Sequence, residues 1–215
     1  MLEISEFFTP VKGSEAIIEL SDWHGETAIR KSRIPKHYRD SSLDLALRTK
    51  RTKEEAELLH LAKLEGVPTP EIFFADPIAC EIIMEHVRGI LVKGLKQNSR
   101  ERIQTFGLVG GYAAKLHKRG IIHGDLTTKN IIWSEKRLIF IDFGLSFMSD
   151  RLEDKAEDLH LLKQAIKSSL DTPLAQKCFD SVKEGYRLEV GDSTAKKVWK
   201  QIIKIELRGR YARVD

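Results

Sequence analysis

The sequence predicts an α+β fold of two lobes, a strand-rich N-terminal lobe with one long helix and a reduced helical C-terminal lobe. Three observations carry this expectation. Short apolar runs bounded by turn residues fill the first 85 residues. One stretch among them, 43–65, is rich in Leu, Lys, Arg and Glu and holds no Pro or Gly. After about residue 90 the apolar residues recur mainly at helical spacing.

In chain order, strands are expected at 4–8, 16–20 and 26–31, with turns at 11–15 and 22–25. Helix 43–65 follows, with Leu47, Leu58, Leu61 and Leu64 at helical spacing. Gly66 caps it, and Pro68 and Pro70 prevent its continuation. Strands 72–75 and 80–85 complete the first lobe, and 85–89 is the expected hinge. The N-lobe is thus read as about 1–86 and the C-lobe as about 90–215, together one domain. Ser99 is the expected N-cap of a helix whose buried face is Ile103, Phe106, Val109, Ala113 and Leu116. Two short strands, 131–133 and 138–141, precede three helical stretches that begin near Asp154.

The bulk numbers exclude several classes. With 41% hydrophobic and 32% charged residues, the 215-residue chain reads as an ordinary soluble protein. No window supplies the ~20 apolar residues of a membrane span, and residues 1–10 carry no secretory pattern. Cys80 and Cys178, far apart, exclude a disulfide-dense scaffold or an all-cysteine zinc cluster and fit buried free thiols in a reducing cytoplasm. A net charge of +4 permits anionic partners such as ATP, RNA or an acidic protein surface without naming one.

The chemistry lies in His123-Gly124-Asp125-Leu126-Thr127-Thr128-Lys129-Asn130, set between apolar strands, and in Asp142-Phe143-Gly144 after the second strand. Any one of these residues alone would suit a surface turn, but the combination at this spacing is improbable by accident. Asp125 is placed to receive or orient an acceptor's proton. Asn130 and Asp142 offer the hard oxygens that Mg²⁺ prefers, one neutral and one anionic. His123 is expected to be a packed, hydrogen-bonded structural residue rather than a base. Phosphoryl transfer needs this set and little else: charge neutralisation and an oriented acceptor.

The spacing resembles the catalytic and magnesium loops of protein kinases, which implies a minimal bilobal protein-kinase-like fold binding ATP and Mg²⁺. The resemblance asks for a strand lysine held by a helix glutamate. Ala28-Ile29-Arg30-Lys31 stands where Val-Ala-Ile-Lys would, so Lys31 is the candidate, with Arg30 and Arg33 as basic neighbours open to confusion with it. Glu55 is the best partner, with Glu54 and Glu57 as rivals. Gly13 and Ser14 stand where the phosphate-covering loop would be, with one glycine in place of three. Glu85 at the hinge completes the expected nucleotide contacts. Asp158 either anchors the catalytic loop from the next helix or is a solvated helix carboxylate.

The wording is closer still to one family. The tract 123–130, then Ile-Asp-Phe-Gly-Leu-Ser-Phe at 141–147, Glu153-Asp154-Lys155, the tract 33–39 with Leu43-Asp44 and Arg51-Thr52, and Leu207-Arg208-Gly209-Arg210 resemble the small atypical serine/threonine kinase of the KEOPS complex. The matches run from Gly13 to Arg210, and Arg30 departs from the apolar residue expected there. That resemblance implies a partner-dependent ATPase and kinase. It would act with the KEOPS subunits, chiefly the threonylcarbamoyl transferase and a subunit docking on the N-lobe, in threonylcarbamoyladenosine modification of tRNA. The short stretch after Asp142, with no Ala-Pro-Glu motif, leaves little platform for peptide substrates.

Lys196, Lys200, Lys204 and Arg208 recur every four residues, joined by Lys197, Arg210 and Arg213, and are either a solvated helix face or a contact for tRNA phosphates. Two other functions compete. A small-molecule kinase of the aminoglycoside-phosphotransferase type shares His-Gly-Asp-Leu but usually continues His-Pro-x-Asn. A catalytically dead scaffold would lack some of the side chains that are all present here.

Overall fold

The computed structural model describes residues 11–13, 15–96, 98–135 and 137–211. The expected strand 4–8, Ser14 and Arg213 lie outside them, as does the side chain of Arg210. The N-terminal part is a five-stranded antiparallel sheet of β1 (Val11–Lys12), β2 (Ala16–Trp23), β3 (Glu26–Arg33), β4 (Ile72–Asp76) and β5 (Glu81–Glu85), in the order β1-β2-β3-β5-β4. β2 and β3 run longer than expected because a two-residue turn joins them. His24 and Gly25 both have positive φ, 51° and 88°, the geometry whose twist suits a hairpin. Central β3 pairs on both sides, with Lys31 opposite Ile18 of β2 and Ile82 of β5.

The long helix α1 (Ser41–Leu64) connects β3 to β4. It starts two residues earlier than expected, because the Asp40 carboxylate caps the amides of Ser42 and Leu43. It ends as expected: Gly66 N–H donates to the Lys63 carbonyl and Val67 N–H to the Ala62 carbonyl, each at 3.0 Å. Its buried face differs from the leucine stripe. Leu64 is 67% exposed, whereas Asp44, Thr52 and Glu55 are buried beside Leu58, Leu59 and Ala62. This half-polar face turns toward charged partners, so hydrophobicity alone could not identify it.

Residues 86–89 lead from β5 to β6 (Ile90–Leu91), and a single 3-10 turn (Val92–Gly94) follows. Helix α2 (Ser99–Lys118) is capped by Asn98, whose side chain accepts from Glu101 N–H at 2.9 Å, so Ser99 is the first helical residue rather than the cap. The predicted apolar face is largely borne out, with Phe106, Val109, Ala113 and Leu116 buried and Ile103 half-buried. Next come β7 (Ile121–Ile122), β8 (Ile131–Ser134), β9 (Arg137–Phe140) and β10 (Phe147–Met148). β6-β8-β9 form one small sheet and β10-β7 another. The two-residue strands β6, β7 and β10 are too short for an alternation pattern to reveal them.

Helices α3 (Leu152–Ser169), α4 (Thr172–Val190) and α5 (Asp192–Tyr211) complete the fold, α3 starting two residues before Asp154. α4 packs on α2 along glycines. A β-carbon at Gly185 would lie 1.9 Å from the Gly107 carbonyl oxygen, and one at Gly110 would lie 2.1 Å from that of Val182. Gly185→Ala is therefore expected to destabilise the protein. The clash of about 1–3 kcal/mol or more outweighs the ~1 kcal/mol gained in helix propensity. A thermal melt checks this, since an unchanged or raised midpoint would mean that the two backbones tolerate a methyl group between them.

Candidate active site

Strand periodicity places the first part of the site. β3 carries Lys31 into a cleft of about 210 Å³ lined also by Gly13, Glu15, Arg33, Asp125, Asp142 and Gly144. Lys31 Nζ donates to Glu55 Oε1 at 2.5 Å and to Asp142 Oδ1 at 2.7 Å. Glu55 is 1% exposed. The rivals Glu54 and Glu57 point to solvent and face Lys50 and Lys53 at 3.7 and 3.8 Å. Burial opposes the charge on Lys31, but Glu55 and Asp142 beside it reverse that and raise its pKa above the ordinary lysine value. Burial likewise opposes ionisation of Asp142, yet the Lys31 ammonium prevails and holds its carboxyl below the usual range. Both groups are thus charged at neutral pH.

The loop that carries Asp125 and Asn130, the candidate catalytic loop, is built on main-chain pairing. Ile141 N–H donates to the Asn130 carbonyl at 2.9 Å, setting the residue before Asp142 against Asn130. Asn130 Nδ2 donates to the Asp125 carbonyl (2.9 Å) and to Asp125 Oδ2 (2.8 Å). With its amide nitrogen so engaged, Asn130 Oδ1 makes no hydrogen bond among the described residues and is available as a metal ligand. Asp142 adopts φ 60°, an uncommon conformation for aspartate. Among the described residues no three His, Cys, Asp or Glu side chains form a self-sufficient metal site. These two oxygens would suit Mg²⁺, a hard cation that needs few protein ligands.

Asp158 decides its own role by position. It is 1% exposed on α3, and its carboxylate accepts from the main-chain N–H of His123 at 2.6 Å and of Gly124 at 2.8 Å. His117 Nε2 lies 3.3 Å from the same carboxylate, and its Nδ1 is 3.0 Å from the Tyr186 hydroxyl. Burial pushes the Tyr186 phenol well above its ordinary value, so its O–H stays protonated within hydrogen-bond reach of His117. Helices α2, α3 and α4 thereby converge on the catalytic loop. From the other side, Ser146 Oγ donates to the His123 carbonyl at 2.7 Å. Gly124 has φ 78°, and a β-carbon there would lie 2.2 Å from the Leu145 carbonyl oxygen, so only glycine fits.

His123 is packed as expected, fully buried 4.7 Å from Phe143, but its ring nitrogens lack a well-formed hydrogen bond among the described residues. Burial lowers its pKa despite the surrounding carboxylates, which keeps the ring neutral. Gly13 N–H is occupied by the Ala16 carbonyl at 2.9 Å. Glu85 stands at the end of β5, its N–H on the Glu71 carbonyl and its carboxylate on the Glu71 N–H, and it is not among the residues lining the cleft. Three contributors escaped the sequence reading. Arg33 binds Glu55 Oε2 at 2.6 Å, and strand period two put it on the face of Lys31. His117 and Tyr186 gave no signal, because a lone histidine and a lone tyrosine on helices read as core.

On α5, Lys196, Lys200 and Lys204 are exposed with no ion pair among the described residues. Arg208 is exposed but holds Glu153 of α3 at 2.6 Å.

The RIO domain family matches residues 25–167. A protein of Pyrococcus abyssi named KEOPS complex subunit Bud32 is 39% identical over 93% of this chain and 94% of its own length. A probable bifunctional tRNA threonylcarbamoyladenosine biosynthesis protein of Methanobrevibacter smithii is 41% identical over 93% of this chain, which spans 36% of that relative's length. Among solved structures, the Rio2 kinase of Chaetomium thermophilum, in an ADP/Mg²⁺-phosphoaspartate complex, superposes with a TM-score of 0.66. It is 16% identical and covers 95% of this chain and 71% of its own, a likeness of fold. The α+β fold is thus kinase-like, and the chain belongs to the RIO-domain family, with the Pyrococcus Bud32 subunit among its relatives.

Proposed function

We propose that this chain is an ATPase and atypical serine/threonine kinase of a KEOPS-type complex, serving threonylcarbamoyladenosine modification of tRNA in the cytoplasm. The observation that carries the reading is the complete site beside a very short following segment. Lys31, Glu55, Asp125, Asn130 and Asp142 are all present and connected, yet only residues 143–151 separate Asp142 from α3. That stretch leaves no room for an extended peptide-docking platform, so water or a docked partner's serine is the natural acceptor. The names of the Pyrococcus and Methanobrevibacter relatives point the same way.

The N-lobe is read as 1–86 and the C-lobe as 90–215, with ATP in the cleft between them. Asn130 and Asp142 would hold Mg²⁺, which when bound neutralises charge on the triphosphate. Lys31, kept charged by Glu55 and Asp142, adds a cation for the phosphates. Gly13 and Ser14 would cover them, and the base would extend past the lining of this cleft toward Glu85 at the end of β5. Asp125 orients the acceptor's hydroxyl or water and takes its proton. Partners are the threonylcarbamoyl transferase, a subunit on the N-lobe, and tRNA along Lys196, Lys200, Lys204 and Arg208.

The test is ATP hydrolysis by the purified chain alone, with the transferase, and with transferase plus tRNA. Strong stimulation by the full set supports the reading. Phosphorylation of an added aminoglycoside in its place would favour a small-molecule kinase, and absence of turnover under every condition would favour a scaffold. In the same assay the double charge reversal Lys200→Glu/Lys204→Glu is expected to weaken tRNA binding roughly tenfold or more, with a shallower salt dependence, and to leave ATP affinity alone. Unchanged tRNA binding, or a fall in ATP affinity, would make the stripe structural.

A further inference from the structure

Arg33 is a second cation at the phosphate end of the cleft, and the chemistry above gives it no task. Its side chain is 4% exposed, a depth at which a guanidinium needs an anionic partner. That partner is Glu55: Arg33 takes Oε2 at 2.6 Å while Lys31 takes Oε1 at 2.5 Å, one cation on each oxygen. The same Nη2 reaches the Arg51 carbonyl at 3.4 Å, one turn earlier on α1. Arg33 therefore grips the helix at two points from a central strand. Lys31 divides itself differently, holding Glu55 and, at 2.7 Å, Asp142. Both cations abut the turn after Asp142, since a β-carbon at Gly144 would lie 3.3 Å from each.

We infer that Arg33 is a positioning residue for ATP chemistry: it holds Glu55 and α1 in place independently of Lys31, so that Lys31 can turn toward phosphate without releasing the helix. Lysine has three donors on a flexible stem, whereas arginine is a pre-organised planar fork. The arrangement gives the movable contact to Lys31 and the fixed one to Arg33. If Lys31 were the sole partner of Glu55, an entering polyanion would compete with Glu55 for it and leave a buried carboxylate uncompensated. With Arg33 present, Glu55 keeps a partner throughout.

The inference rests on the cleft being the ATP site, and two measurements separate the two ideas. The first is steady-state ATP hydrolysis by the full chain carrying Arg33→Gln or Arg33→Lys, with partners added, well below the melting temperature. Because the residue acts by positioning, Arg33→Gln is expected to lower kcat about tenfold or more with KM for ATP within about threefold. Arg33→Lys, which keeps a cation for Glu55, should recover most of that loss. An unchanged kcat, or a loss confined to KM, would overturn the inference, the latter by making Arg33 a direct phosphate contact. The second is hydrogen exchange without nucleotide, which needs no turnover. In Lys31→Ala the amides of 51–58 should keep protection within about threefold of wild type, and adding Arg33→Gln should cost at least about tenfold. Loss of that protection in Lys31→Ala alone overturns the inference whatever the ATPase assay gives.

Discussion

Asp125→Asn is expected to lower both ATP hydrolysis and serine phosphorylation by about 10²–10⁴-fold, the range for removing a positioned general base. The substitution keeps the size of the side chain and an oxygen to receive Asn130 Nδ2, now 2.8 Å from Asp125 Oδ2. The second bond from Asn130, to the Asp125 main-chain carbonyl at 2.9 Å, is untouched. Loop geometry and the ligands offered to Mg²⁺ should therefore persist, and only the carboxylate oxygen to which we assign the acceptor's proton is lost. Nucleotide affinity and melting temperature should stay near wild type. Turnover at the wild-type rate with partners present would remove Asp125 from the mechanism.

Asp158→Ala should act on stability and turnover together. The Asp158 carboxylate is buried and accepts two main-chain N–H groups of the catalytic loop, with His117 at its other side. Truncation strands both amides, that of His123 fully buried and that of Gly124 partly so. Lost and unsatisfied hydrogen bonds to a charged acceptor of this kind cost about 2–5 kcal/mol. At roughly 2–4 °C per kcal/mol for a chain this size, the midpoint should fall by about 4–20 °C. Below that midpoint kcat should still be depressed about tenfold or more, because the loop carrying Asp125 has lost its anchor. Asp158→Asn, with one acceptor oxygen, should fall between. A melt near wild type would show that the loop is held from elsewhere, by Ser146 on the opposite side.

Much of this was legible in the chain itself. The spacing of Asp125, Asn130 and Asp142 pointed to phosphoryl transfer because that chemistry places few demands beyond oxygen ligands and a base. The α2 face 106–116 was legible because an apolar stripe on a core helix has one physical cause. The hairpin 16–33 was legible in its turn, but its length was not, since pairing of β2 and β3 continued as far as the His24-Gly25 turn allowed.

Errors fell where polar groups are buried. The leucines of α1 suggested one face, yet the helix turns Asp44, Thr52 and Glu55 inward, because each finds a partner there: Arg48, the Arg48 carbonyl, and the Lys31–Arg33 pair. Periodicity measures hydrophobicity and is blind to compensation of that kind. The same blindness hid His117 and Tyr186, whose meaning exists only beside Asp158.

By itself, then, the sequence determined the α+β class and the helices with clean apolar stripes, and it put forward Asp125, Asn130 and Asp142 as the candidate site. Local propensity and the chemistry of phosphate are properties of short stretches, so spacing carries them. Only the tertiary structure decided that Glu55, and neither Glu54 nor Glu57, meets Lys31, that Arg33 shares it, and that Asp158 is an anchor rather than a solvated acid. Those outcomes depend on which charges are brought out of water together, and that is settled by the packing of α1 on the sheet and of α3 under the catalytic loop.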